Sequence, residues 1–118
     1  VSPKRGDRVA PPPHPDEGRD LRFATSEAAK GWEDLCRQAP ANTLAAWTEL
    51  RARSDRPAPT SRHHQLKGSL STAAHGGVDM EQWQYEVTGG GRIWYVVDVA
   101  GRILWFKAAG TGHPKATE

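Results

Sequence analysis

Two adjacent histidines, His63 and His64, stand in the basic stretch Arg62-His63-His64-Gln65-Leu66-Lys67-Gly68, and another, His113, lies between Gly112 and Pro114 near the chain's end. Imidazole titrates close to neutrality, so two such groups can share acid and base duties if their surroundings hold one neutral and the other protonated. Arg92, directly after Gly89-Gly90-Gly91, offers a planar guanidinium able to hold two phosphate oxygens at once, and Lys67 offers a point charge. The same residues also have plainer readings. Arg92 suits a charge that solvates a hairpin end, Lys67 suits a turn residue beside Gly68, and Glu86 suits an ion pair with a basic neighbour. His14 and His75 read as surface histidines. A zinc site built from His63, His64, His75 and His113 is not expected, because adjacent histidines in extended chain point to opposite faces and neither a cysteine pair nor an H-x-x-x-H helix is present. No metal or other cofactor is expected.

The elements that must position these groups centre on Trp83 to Lys107. Trp83, Tyr85 and Val87 alternate with Gln82, Gln84 and Glu86, the period of a strand with one buried and one wet face. Thr88 to Gly91 supplies a hairpin connection. Arg92 to Asp98 is almost continuously apolar, which suits a central strand covered on both faces. Ala100-Gly101 turns the chain again, and Ile103 to Ala108 forms a third strand, giving an antiparallel meander. Trp94 and Trp105 sit mid-strand in apolar runs and read as core, with base stacking as the less favoured use.

Upstream, Asp20 to Ala24 reads as a first strand. Thr25-Ser26-Glu27 then supplies a capping hydroxyl and a first-turn carboxylate, so a helix starts there, with Ala28, Trp32, Leu35, Cys36 and Ala39 on its inner face until Pro40 ends it. Asn42 caps a second helix that carries Leu44, Trp47 and Leu50 inward. Ser54 to Ser61, with Pro57 and Pro59, is a loop, and Ala73 to Asp79, with Gly76-Gly77, is a second loop feeding the meander. Ala109 to Lys115 is a glycine-rich exit. The order β-α-α-β-β-β gives an α+β fold, an N-terminal strand and a two-helix hairpin packed on a small antiparallel sheet.

The chain's 118 residues fit one domain able to bury a core without metal or disulfide staples. Residues 1–18, with Pro3, Pro11-Pro12-Pro13 and Pro15, read as a proline-rich arm, in which Asp7 to Ala10 could add a short edge strand. Residues 19–118 form the folded domain. One cysteine, Cys36, excludes an internal disulfide, and no signal sequence or membrane-spanning run is seen, so a cytoplasmic location is expected. Sixteen basic against fourteen acidic residues give only +2, so binding to a polyanion must come from local clustering and not from the overall field.

That element order carries Leu66-Lys67-Gly68 before the meander, Trp83-x-Tyr-x-Val in its first strand, Gly91-Arg92-Ile93-x-Tyr95-x-Val97 in its second and Gly112-His113 after its third. Over Asp20 to His113 the chain resembles the RelE/ParE superfamily of type II toxins, especially the mRNA interferase branch that includes RelE and YoeB. The resemblance implies a RelE-like toxin, held inactive by a cognate antitoxin protein, that cuts mRNA on the ribosome without a metal. It further implies catalytic roles for His64, Lys67, Arg92 and His113, with RNA contacts from Arg62, His63 and Lys115. Metal-free cleavage uses the 2′-hydroxyl as nucleophile and needs a base, cations on the phosphorane and an acid for the leaving 5′-oxygen. His64 would be the base and His113 the acid, with Lys67 and Arg92 on the phosphate. The alternatives are a ParE-like gyrase inhibitor, which needs no acid-base pair, and a non-enzymatic interaction module that binds a partner by strand or helix addition.

Overall fold

The sequence places Thr25 just ahead of an amphipathic run, and in the computed structural model its hydroxyl caps the first helix by accepting from the Ala28 amide at 3.0 Å. The structure describes residues 4–6, 19–51 and 59–112. Strand β1 (Asp20–Phe23) leads into α1 (Ser26–Gln38), and α2 (Pro40–Arg51) follows after the single residue Ala39. Pro40 stands at the first position of α2, where its missing amide proton costs nothing because that proton would have no partner within the helix. The helix therefore starts two residues before Asn42, whose amide instead donates to the Val87 carbonyl at 3.2 Å. Next come β2 (His63–Gln65), a 3-10 turn (Gly68–Leu70), β3 (Thr72–His75), β4 (Val78–Glu86), β5 (Arg92–Asp98) and β6 (Ile103–Gly110).

The fold is α+β, as expected, with two helices against a six-stranded sheet ordered β1-β6-β5-β4-β2, and β3 paired to β4 beside that path. The sheet is mixed and not wholly antiparallel, because β1 runs parallel to β6 with Leu21 opposite Leu104 and Phe23 opposite Phe106. The chain thus crosses over through the helical hairpin before it returns to the sheet. Ala73 to Asp79, expected as a loop, is instead a β-hairpin. Gly76 and Gly77 have φ of 59° and 79°, the left-handed pair that a two-residue turn needs and that glycine supplies without a Cβ clash. Asp7 to Ala10, the possible edge strand, and most of the proline-rich arm lie outside the described residues.

One face of the sheet carries the main core. Trp83, Ile93, Tyr95, Val97, Leu104 and Phe106 pack there against Ala28 and Leu35 of α1 and Ala46 and Leu50 of α2, with Trp32 at the margin. The approach of α1 is backbone to backbone, since a Cβ on Gly31 would lie 1.6 Å from the Ala109 carbonyl oxygen. The inner face of α2 is Thr43, Ala46 and Leu50, while Leu44 and Trp47, expected inside, are 62% and 41% exposed. The small Thr43 and Ala46 let the helices meet closely, and the Thr43 hydroxyl donates to the Leu35 carbonyl at 3.0 Å, so burial costs it no hydrogen bond. Trp47 turns outward beneath the Arg51 guanidinium, 4.9 Å from the ring centroid. Cys36 is exposed.

The opposite face is partly roofed by the β3–β4 hairpin. His75 stacks on Trp105 with centroids 4.2 Å apart, and the Lys107 ammonium donates to the Ala74 carbonyl at 2.9 Å. Leu66, Trp94 and Val96 are buried. The central strand β5 is therefore covered on both sides, which its uninterrupted apolar run requires. Among the described residues no helix is long and apolar enough to cross a membrane.

Candidate functional site

Strand β2 sits at the sheet edge and presents its two histidines to different environments. His63 pairs with Tyr85 and His64 with Gln84, so alternation sends His63 toward the helices and His64 to the other face. His63 is 5% exposed, lies edge-on to Trp83 and against Tyr85, and its Nε2 is 2.5 Å from the Tyr95 hydroxyl. Burial lowers its pKa, against the opposing pull of Glu49, with His64 and Arg19 adding to the depression. Burial thus favours its neutral form. His63, expected from the sequence to contact RNA, is placed on the helix side of β2, where it lines a cleft beside α2. Burial likewise pushes the Tyr95 phenol up, and it pushes Tyr85 up to about 12 together with the hydrogen bond that Tyr85 donates to Glu49.

His64 is half-buried, and its Nδ1 lies 3.0 Å from the Gln65 carbonyl oxygen. A carbonyl can only accept, so Nδ1 carries the proton and Nε2 is the basic nitrogen of the neutral ring. Across the sheet the register continues from His64 to Gln84 to Trp94, with the Trp94 indole donating to the Gln84 carbonyl oxygen at 2.8 Å. That bond and its 6% exposure commit Trp94 to packing, not to base stacking. The next row toward the sheet end holds Arg62, Glu86, Arg92 and Gly110.

Glu86 organises that row. It lies 3.5 Å from Arg92 and 3.8 Å from Arg62, the ion pairing that its place on the wet face of β4 suggested. Arg92 is 8% exposed, and its Nη1 donates to the carbonyls of Thr88, Gly89 and Gly91 at 3.0, 3.2 and 3.1 Å. The guanidinium thus binds carbonyls of the turn, of which that of Gly91 also accepts from the Val87 amide at 2.9 Å, while Glu86 faces its charge. Arg92, expected from the sequence to contact phosphate, is placed where its guanidinium braces the β4–β5 hairpin. The pairing of Arg92 with Glu86 beside a triglycine turn is the sequence signal for this role.

Two further cations expected at the site, Arg62 and Lys67, are accessible. Arg62 has a side chain 61% exposed, and Lys67 is exposed where extended chain enters the 3-10 turn, its carbonyl accepting from Leu70 at 3.2 Å. Strand β6 ends at Gly110, opposite Arg92, and the Thr111 carbonyl comes close enough to Gly90 that a Cβ there would lie 3.1 Å away. Thr111 thus lies beside the β4–β5 turn. His113 and Lys115 lie outside the described residues.

On the helix side of β2 a cleft of about 410 Å³ opens between α2 and the start of β2, lined by Asn42, Glu49, Thr60, Ser61, His63 and Tyr85 among others. Sequence reasoning did not single out Glu49, which nothing in its helical context distinguishes from a solvated charge. Among the described residues no three His, Cys, Asp or Glu side chains converge as metal ligands. The sequence matches no protein-family model and none of the curated proteins compared with it.

Proposed function

We propose that this chain is a metal-independent endoribonuclease that cuts mRNA, probed on the ribosome, and that it is the toxin of a toxin–antitoxin pair. The observation that carries the reading is His64, a histidine on the helix-free face whose Nδ1 is tied to a backbone carbonyl and whose Nε2 is the basic nitrogen. In this scheme Nε2 takes the proton of the ribose 2′-hydroxyl, the 2′-oxygen bonds to phosphorus, and the bond from phosphorus to the 5′-oxygen breaks. His113 gives its proton to that 5′-oxygen, and the upstream product ends in a 2′,3′-cyclic phosphate. Arg62 and Lys67 stabilise the charge gathering on the phosphorane, and Lys115 contacts the RNA backbone. Arg92 serves by holding the β4–β5 hairpin, beside which Thr111 lies. Exposed Leu44 and Trp47 on α2 support contact with a protein partner, which the scheme assigns to the antitoxin.

The test is expression of the parent chain, His64→Ala and His113→Ala in cells, with cleavage mapped on translated messages by primer extension. Cuts by the parent that are lost in both variants are expected. Undiminished cuts in both variants, or no cuts alongside trapped gyrase–DNA complexes, would overturn the proposal.

A further inference from the structure

The cleft between α2 and β2 contains a carboxylate, Glu49, that is 55% exposed and pairs with no lysine or arginine among the described residues. Glu49 Oε2 accepts from the Tyr85 hydroxyl at 2.5 Å, whereas Oε1 accepts no hydrogen bond among the described residues and lies 4.0 Å from His63 Nδ1. His63 cannot balance the charge, because its side chain is 6% exposed and burial favours its neutral form. The cleft's other carboxylate, Glu86, already faces both Arg62 and Arg92. No lysine or arginine among the described residues lies within salt-bridge distance of Glu49.

The rest of the lining holds one cation, Arg62, which lies 3.8 Å from Glu86, beside several acceptors. Asn42 donates one amide proton to the Val87 carbonyl, its side-chain oxygen can accept, and Thr60 and Ser61 add hydroxyl oxygens. Tyr85 contributes an aromatic wall, held in place by its bond to Glu49. A carboxylate with one open oxygen, further acceptors around it and a phenol ring beside it suit a planar cation that carries several N–H donors. The buried His63 also lines the cleft, its Nδ1 4.0 Å from Glu49 Oε1.

We infer that this cleft binds a guanidinium group, with Glu49 as its counter-charge and Tyr85 as the surface against which it lies. The group is either an arginine side chain offered by a protein partner or a free guanidino compound, and the two share the same chemistry at Glu49. This inference does not use His64, which lies on the other face of β2, although Arg62 at the cleft's edge is common to both readings.

The experiment is a titration of the full chain, followed by amide chemical shifts, with N-acetyl-arginine amide, its uncharged isostere N-acetyl-citrulline amide, and agmatine. Saturable shifts at Glu49, His63 and Tyr85 are expected with the arginine compound and not with the citrulline one. Glu49→Gln keeps an acceptor for Tyr85 while removing the charge, and should weaken binding about tenfold, the loss expected of one charge-assisted hydrogen bond. Tyr85→Phe should weaken it as well, by releasing Glu49. Agmatine binding as tightly as arginine within a peptide identifies a free compound, and much tighter binding of the peptide identifies a side chain. Equal shifts from arginine and citrulline, or binding unchanged in Glu49→Gln, would overturn the inference.

Discussion

Replacing Gly31 with alanine tests the central packing contact of the fold, the seat of α1 on β6. A Cβ at this position would stand 1.6 Å from the Ala109 carbonyl oxygen and 2.4 Å from its carbon. Carbon and oxygen approach no closer than about 3.3 Å in weak hydrogen-bonded contacts. The helix or the strand must therefore move by roughly 1.7 Å, and because the obstacle is backbone, no side-chain rotation can relieve it. Such a displacement would loosen Ala28 and Leu35 from the core they help to close. Overpacking usually costs about 1–3 kcal/mol, and alanine's greater helix propensity returns up to about 1 kcal/mol. A fixed backbone obstacle belongs at the upper end of the range, so a net loss of about 2–3 kcal/mol is expected, a large share of the roughly 5–15 kcal/mol that holds a domain folded. Urea unfolding followed by tryptophan fluorescence measures it. Gly110→Ala is the control, since a Cβ there meets nothing within 4 Å, and it should stay within about 0.5 kcal/mol of the parent. A Gly31→Ala chain as stable as that control would refute the packing described for α1 and β6.

Arg92→Ala should cost about 3–5 kcal/mol, the usual result of removing one partner of a buried ion pair, and urea unfolding checks it. Any folded remainder should keep its cleavage per molecule if the residue acts only as a clamp. Leu50→Ala should destabilise by about 2–5 kcal/mol, whereas Trp47→Ala should change stability little; the reverse order in thermal melts would contradict the orientation of α2. The depressed pKa of His63 means that the unfolded chain binds its proton more readily than the folded one. Stability should therefore be full above the ordinary histidine pKa of about 6.5 and fall as pH drops through that value toward the folded pKa. Urea midpoints across that range, compared with His63→Gln, measure the effect, and an unchanged pH dependence in the variant would assign it elsewhere.

Where large apolar residues alternated or ran unbroken, as in β4 and β5, the sequence was a good guide to the sheet, because the pleat admits only one way of burying them. Helix α2 misled because it has apolar residues around its whole circumference: choosing the inner face by size selects Leu44 and Trp47, while close approach selects Thr43 and Ala46. The β3 strand was hidden by its small side chains, although Gly76-Gly77 was a visible turn signal. At the site, alternation did separate His63 from His64, but which of the two would be buried depended on Tyr95 and Glu49, 32 residues after and 14 before His63 in the chain. The placing of Arg92 was hidden for a related reason. Its side chain serves carbonyls of its own turn, a local need that competes with any ligand.

The account's central claim, cleavage through the 2′-hydroxyl with His64 as base, is tested most directly on ribosomes programmed with an mRNA that carries a single 2′-deoxy nucleotide at the mapped cut. The purified protein should cut the all-ribose message to a 2′,3′-cyclic phosphate end, leave the deoxy message intact at that position, and lose the activity in His64→Ala. Equal cutting of both messages, or a His64→Ala chain as active as the parent, would contradict it.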